Sequence, residues 1–324
     1  MDIQVPKNEL AEVHQENLKD FIEFTKKSKS ANTLRAYDCA WQRYRDWCIG
    51  LRFDLYSLDI PRELIIGMFI SDIAKKQKLK VATIETYIAG VKHHYEEKGM
   101  TVDTRHPKIR AAMSGIRRTL GKKQAQKIAL KTDVIKKIIS SIDQNSPIGL
   151  RDTALILIGF AGAFRRSELV AIKREHCVFD VHGLSIYIPF SKTDQEGEGR
   201  IVDIPFASDE QFCPVRMLRK WIAMADCADG YVFRRVNKSG NIQAEGLNPH
   251  SVARILKNRC EPFGFSAEIA GHSLRSGHVT SAIGNGTPET WIMRQTGHKN
   301  VNTLRKYERL KREFTANSAA NIGL

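Results

Sequence analysis

The chain has 324 residues, and its 51 lysines and arginines against 36 aspartates and glutamates give a formal net charge of +15. That surplus favours a polyanionic partner, most simply nucleic acid. The sequence shows no Cys-x-x-Cys pair, no apolar signal segment and no long apolar run, which argues against a zinc site, a secreted disulfide scaffold and a membrane protein. We therefore expect a cytoplasmic protein with room for two domains.

Residues 1–120 carry apolar residues at helical spacing in successive segments and few alternating runs, which predicts an all-helical domain. Ser30 is a candidate cap, and Pro61 and Pro107 stand where two later helices are expected to begin. The helices expected over 84–95 and 248–260 are candidate readers of a DNA major groove, with Lys92, His93, Arg254, Lys257 and Arg259 available for contacts.

Residues 117–131 hold six basic residues and no acidic one, and Gly121 interrupts the helical periodicity. The pattern predicts a basic linker over 121–131. We expect this linker to cross a DNA backbone, because each lysine near a phosphate strengthens binding by releasing counterions. A solvated tether is the alternative.

Residues 132–324 mix helices with a small amount of β-structure. Thr132 and Asp133 are candidate caps of a first helix, and a strongly apolar helix over 151–161 is expected at the centre of the core. Further helices are predicted over 167–172, 214–225, 248–260, 273–284, 288–295 and 301–313.

Two segments, 183–189 and 200–205, alternate as strands around a polar turn. They predict a β-hairpin or a three-stranded sheet, with Lys192 near the hairpin tip. A lysine in such a place is usually solvated, and Lys173 is a competing candidate for the same role.

Seven polar residues in this second half suit phosphoryl transfer. Guanidinium groups match two phosphate oxygens, imidazoles move protons near neutral pH, and a lysine can protonate a departing oxygen. A phenol, once activated by cations, can act as the nucleophile. Each residue taken alone also has a purely structural interpretation, such as a surface ion pair or a packed tyrosine. The prediction of phosphoryl transfer therefore depends on the ordered set as a whole. In chain order they are Arg165, Glu168, Lys192, His272, Arg275, His298 and Tyr307.

This ordered set resembles that of the tyrosine recombinase (phage integrase) family, as do G-H-S-L-R-S-G at 271–277 and G-H-K-N-V-N followed by K-Y. These motifs are similar to those of the Cre-like and Xer-like branches in particular. In the first half only T-L-R-A-Y at 33–37 is similar. One departure is Phe164-Arg165-Arg166 where Leu-Arg-Ile is commoner, and we assign Arg165 because it lies three residues before Glu168.

The resemblance implies a mainly α fold in two domains. A helical, SAM-like core-binding domain is expected over 1–120, and an α+β catalytic domain with a small β-sheet or hairpin over 132–324. Together they would form a C-shaped clamp on DNA. The candidate DNA-binding residues are Arg117, Arg118, Lys122, Lys123, Lys92, Arg254 and Lys257.

The resemblance also implies a reaction. Tyr307 would form a 3′-phosphotyrosine while Lys192 acts as general acid, with no metal or cofactor. Strand exchange through a Holliday junction would take place in a homotetramer on double-stranded DNA with inverted half-sites, assembled from monomers in the cytoplasm, at the nucleoid if the host is prokaryotic. The tail 314–324 is expected to dock on a neighbouring protomer or to be frayed.

Three other functions stay open at this point. A type IB topoisomerase uses the same chemistry to relax supercoils, and a telomere resolvase is a further strand-transfer variant. An inactive DNA-binding accessory protein belongs to a different class, and the presence of all six chemical residues (Arg165, Lys192, His272, Arg275, His298 and Tyr307) argues against it.

Overall fold

The computed structural model describes residues 12–56, 59–121, 127–191 and 198–308, without the side chains at 12–16, 26–27 and 305–308. The chain divides into two compact units, Met1–Ala125 and Gln126–Leu324. The described chain is mainly helical with small antiparallel sheets, as the sequence predicted. None of the described helices is both long enough and apolar enough to cross a membrane.

All the regular secondary structure in the described residues of the first unit is helical. Ser30 caps the second helix, since its side-chain oxygen accepts the Thr33 N–H at 3.2 Å. Pro107 stands in the first turn of the fifth helix, where a missing N–H costs no hydrogen bond. The helices are α1 (Glu12–Lys27), α2 (Ala31–Gly50), α3 (Arg62–Gln77), α4 (Val81–Glu97) and α5 (Pro107–Leu120).

Aromatic rings form much of the core of the first unit. Tyr44 and Tyr95 are fully buried with their hydroxyl oxygens 3.3 Å apart, and the Tyr95 hydroxyl donates to the Leu55 carbonyl at 2.9 Å. Gly90 allows α4 to approach α2, because a Cβ at this position would lie 2.8 Å from Ala40 Cβ. The close α2–α4 contact thus depends on a residue without a side chain.

The second unit packs its helices around a central apolar one. That helix, α7 (Pro147–Ala161), is buried continuously from Gly149 to Gly159, which agrees with its predicted place in the core. The other helices are α6 (Thr132–Ser140), α8 (Arg166–Val170), α9 (Pro214–Met224), α10 (Pro249–Cys260), α11 (Ser273–Gly284), α12 (Glu289–Thr296) and α13 (Val301–Glu308).

The starts of α6 and α7 are among those that differ from the prediction. Thr132 and Asp133 lie inside the first turn of α6, and the cap position belongs to Lys131, which makes no side-chain capping bond. Asp133 still favours the helix there through the helix dipole. Ser146 caps α7 and Pro147 follows it, so α7 starts four residues before the predicted start at 151.

The three-stranded alternative for the β-structure is the one observed. Strands β1 (Cys177–Phe179), β2 (Gly183–Ile188) and β3 (Arg200–Pro205) are antiparallel in the order β1-β2-β3. A separate pair, β4 (Arg234–Val236) and β5 (Ile242–Gly246), was not predicted. Strand β4 has three residues, too few to show an alternating pattern.

Candidate active site

Arg165 stands at the N-cap position of α8, directly after the turn that ends α7. Its backbone N–H donates to Glu168 Oε2 at 3.0 Å, and its Nη1 donates to Glu168 Oε1 at 2.5 Å. Glu168 is only 3% exposed. One buried carboxylate therefore holds both the backbone and the guanidinium of Arg165, through the three-residue spacing seen in the sequence.

A second arginine, not singled out from the sequence, shares this carboxylate. Arg200 opens β3, and its Nη2 donates to Glu168 Oε2 at 3.2 Å while its Nη1 donates to the Gln295 carbonyl at 2.9 Å. Burial lowers the pKa of the Arg200 guanidinium, and Glu168 opposes that shift. Arg200 thus ties the hairpin base to α8 and α12. Its one sequence signal is its place as the first residue of the returning strand.

Arg275 approaches the same region from α11. It is 1% exposed, and its Nη1 donates to the Ala163 carbonyl at 2.8 Å across 112 residues of sequence. Ala163 has a φ of +49° and forms the left-handed turn two residues before Arg165. Gly277 allows α11 to pack closely against Leu130, since a Cβ at Gly277 would lie 1.9 Å from the Leu130 carbonyl oxygen.

His272 occupies the N-cap position of α11 and is exposed to solvent. The surrounding protein lowers the pKa of His272, Arg275 and Arg165 lower it further, and Glu168 opposes them. The neutral imidazole is therefore favoured, which is the form that can accept a proton.

His298 follows α12 through Gly297, whose φ of 68° is left-handed. Burial, with smaller contributions from nearby positive charges, lowers the pKa of His298 to about 4. Because electrostatic interactions weaken with distance, the residues that add to this shift mark its neighbours. They are Arg275, Arg165, His272 and Arg200.

The backbone of Tyr307 belongs to α13, which is anchored to α11 and α12. Leu304 is 1% exposed and packs with Val279 and Ile292 of these two helices. The Tyr307 side chain lies outside the described residues, as does Lys192 between β2 and β3. The structure thus brings together Arg165, Glu168, His272, Arg275 and His298 and adds Arg200 to them.

The candidate DNA contacts of the second unit lie on α10. Arg254 and Lys257 are exposed there at a spacing of one helical turn. Arg259 on the same helix is instead engaged internally, with its Nη2 2.7 Å from Asp152 Oδ2.

The candidate contacts of the first unit lie on α4 and α5. Lys92 forms a 3.4 Å ion pair with Glu96 one turn away. Arg117 and Arg118 belong to the last turn of α5, ahead of the predicted linker, and Arg117 pairs with Glu85 at 2.7 Å. Lys122 and Lys123 lie outside the described residues.

The arrangement is a site of cations and neutral imidazoles with one buried carboxylate. Such donors, fixed before a substrate arrives, stabilise negative charge that develops on a phosphoryl group. Neutral histidines beside them can move protons. The chemistry that fits is attack on a phosphodiester.

Comparisons with known proteins agree with this chemistry. Residues 129–313 match the family described as the phage integrase family. An integrase/recombinase xerD homolog from Selenomonas ruminantium is 36% identical over 285 residues, covering 87% of this chain and 82% of that protein. A tyrosine recombinase XerD from Listeria innocua is 25% identical over 299 residues, covering 89% and 92%.

Solved structures share the fold. The XerH site-specific recombinase, bound to a palindromic difH substrate after cleavage, is similar with a TM-score of 0.65 and 17% identity over 89% of this chain and 79% of that one. A lambda integrase dimer bound to a core site is similar with a TM-score of 0.60 and 16% identity over 94% and 99%.

Proposed function

The chain belongs to the phage integrase family of tyrosine recombinases and is a site-specific recombinase, and on that premise we propose that Tyr307 is its nucleophile. The phenol oxygen attacks the scissile phosphorus, and the bond from phosphorus to the 5′-oxygen breaks. The product is a 3′-phosphotyrosine and a free 5′-hydroxyl. The phosphotyrosine keeps the energy of the bond, so the 5′-hydroxyl of a partner strand can reverse the reaction.

One observation carries this proposal. Glu168 holds Arg165 and Arg200 while Arg275 is bound to the Ala163 carbonyl, so the guanidinium groups are oriented in the protein without DNA. Preorganised cations favour the transition state, in which the phosphoryl group carries the most negative charge.

The remaining roles follow from the chemistry of each group. His272, whose neutral form is favoured, takes the proton of the attacking phenol. His298 contacts a non-bridging oxygen of the phosphate. Lys192 gives a proton to the departing 5′-oxygen, because an alkoxide is a poor leaving group. Arg200 positions Arg165 by sharing the Glu168 carboxylate.

We assign double-stranded DNA with inverted half-sites as the partner and the cytoplasm as the place of action. The net charge of +15 supports a polyanionic partner, and the XerH and lambda integrase structures are complexes with DNA. Arg254 and Lys257 are exposed on one helix, as a groove-reading element requires. The other proposed contacts are Lys92, Arg117, Arg118, Lys122 and Lys123.

We further propose a homotetramer on synapsed DNA, which exchanges strands through a Holliday junction. An apolar groove of about 600 Å³ lies between α6, α7, β3, α11 and α12, and its Trp291 is 69% exposed. The proposed occupant is the tail 314–324 of a second copy. This tail carries Phe314, Ile322 and Leu324. Wild type should form complexes of four chains on two DNA duplexes, and Trp291→Glu should reduce them to single occupied duplexes. Unchanged assembly of this variant would exclude the groove.

The test of the nucleophile uses DNA fragments selected by the protein and rebuilt as nicked suicide substrates. Wild type should give a covalent protein–DNA adduct on a denaturing gel. Tyr307→Phe should bind the same DNA without forming an adduct, and Tyr231→Phe, at an exposed tyrosine, should behave as wild type. An adduct formed by Tyr307→Phe would exclude Tyr307, and no wild-type adduct on tightly bound substrate would exclude the covalent mechanism.

A further inference from the structure

The hydroxyl group of Thr296 makes two short contacts in the interior. Thr296 is 0% exposed at the end of α12, and its Oγ1 lies 2.7 Å from the Ile292 carbonyl oxygen and 2.9 Å from His298 Nδ1. The Met293 carbonyl oxygen lies farther away, at 3.4 Å. Both backbone oxygens are acceptors without a proton. The Thr296 hydroxyl therefore donates its single proton to a backbone carbonyl oxygen.

This proton count determines the tautomer of His298. With its own proton directed to a carbonyl, Thr296 Oγ1 faces His298 Nδ1 as an acceptor. Nδ1 must then carry a proton, because two lone pairs at 2.9 Å would repel each other. The hydrogen bond made by one imidazole nitrogen decides the state of the other.

We propose that Thr296 is a positioning residue that holds His298 in the Nδ1–H tautomer, so that Nε2 carries a lone pair until the scissile phosphate binds. The inference deepens the proposed function and rests on it for the contact between His298 and phosphate. A lone pair cannot donate a hydrogen bond to a phosphate oxygen. His298 therefore takes up a proton from solvent when the phosphate enters, and it donates as an imidazolium.

The charges around His298 explain why this proton arrives with the substrate. Burial, Arg275, Arg165, His272 and Arg200 together lower the pKa of His298 to about 4 in the protein without DNA. Glu168, the carboxylate of the cluster, is held by Arg165 and Arg200. A bound phosphate adds negative charge beside His298, which raises the pKa of its imidazole.

Two substitutions at Thr296 separate positioning from packing. Valine keeps the shape of threonine without the hydroxyl, whereas serine keeps the hydroxyl and leaves space for a methyl group. If Thr296 only filled space, serine would be the more harmful change. If its hydroxyl orients His298, valine is the more harmful change, slowing adduct formation on the suicide substrate about tenfold, and serine restores most of the rate.

The pH dependence provides a second readout that a packing defect would not change. In wild type, the proposed imidazolium is lost as the pH rises, and the rate of adduct formation should fall with it. In Thr296→Val, Nε2 is free to carry the proton of a neutral imidazole, so the fall should be shallower. Parallel pH profiles in the two proteins would overturn the coupling to proton uptake.

The tautomer is measured directly by long-range proton–nitrogen correlation spectra of the full chain labelled with ¹⁵N-histidine, without DNA. His298→Asn identifies the signals. Wild type and Thr296→Ser should show the Nδ1–H pattern, and Thr296→Val should lose it. An Nε2–H pattern in wild type, or serine slower than valine, would overturn the inference. A wild type that shows Nδ1–H but forms no adduct would overturn the proposed function and leave the tautomer assignment standing.

Discussion

The two units of the chain treat buried polarity differently. The first unit buries rings, and the hydroxyls of Tyr44 and Tyr95 pair with each other. In the described part of the chain, every residue classed as buried and polar or charged belongs to the second unit. These residues are Arg151, Asp152, Thr153, Glu168, Ser273, Arg275 and Thr296.

The difference shows that the free-energy cost of burying polar and charged groups is concentrated in the second unit. Burying a charge is unfavourable unless it is paired, and pairing seldom repays the full cost. One buried pair of the second unit, Arg151 with Asp152 at 2.7 Å, is completed by Arg259 and ties α7 to α10. The other centre, around Glu168, lies among histidines whose pKa is lowered. Buried charge beside titratable groups, and not buried charge alone, marks the site.

The largest expected effect is on chemistry. Arg275→Ala should slow single-turnover adduct formation about a thousandfold, because it removes a preorganised cation from the transition state. DNA affinity, measured by gel shift, should change far less. Arg45→Ala, at an exposed arginine of the first unit, is the control and should form adduct at the wild-type rate. A rate within tenfold of wild type for Arg275→Ala would remove Arg275 from the site.

The next effect is on the stability of the second unit. Glu168→Gln leaves Arg165 and Arg200 without their shared counter-charge and should lower the free energy of unfolding by about 3 kcal/mol. Hydrogen exchange of the α7 amides measures this loss. Glu85→Gln breaks the exposed pair with Arg117 and should cost below about 1 kcal/mol. Equal costs would contradict the contrast between buried and exposed pairs.

A smaller effect should appear on acidification. Burial lowers the pKa of His272, His278 and His298 in the second unit. The unfolded chain binds protons at these histidines near pH 6.5 while the folded unit does not, so stability should fall as the pH decreases from about 6.5 towards 4. In the first unit, burial lowers the pKa of His93. Hydrogen exchange should show a larger loss of stability in α7 than in the helices of the first unit, and a smaller loss in α7 of His298→Asn than of wild type. Equal losses of stability in both units would contradict this account.

The smallest effect belongs to the first unit. Tyr44→Phe removes one buried hydroxyl, and Tyr95 still donates to the Leu55 carbonyl. The expected cost is about 1 kcal/mol, seen as faster hydrogen exchange in α2 and α4. The pH profile of adduct formation should not change. A shifted profile would mean that the aromatic core acts on the chemistry.

Local signals explain which elements were predictable. Helix α5 begins and ends at the predicted residues because Pro107 and Gly121 mark its two ends. Strands β2 and β3 were found because six residues suffice to show alternation. Strand β1 and the β4–β5 pair were missed, since short strands form where their partners place them.

The sequence alone was sufficient to identify the family and the order of the reactive residues. The chemistry requires particular side chains, and the identity of each side chain is given directly by the sequence. The tertiary structure decided which groups hold them. Arg200 shares Glu168 across 32 residues, and Arg275 reaches Ala163 across 112. Such partners have no periodic signature, since chain folding and not sequence spacing brings them within hydrogen-bonding distance. Thr296 and His298 are neighbours in sequence, yet the state of the imidazole depends on a proton that Thr296 gives to the backbone of α12.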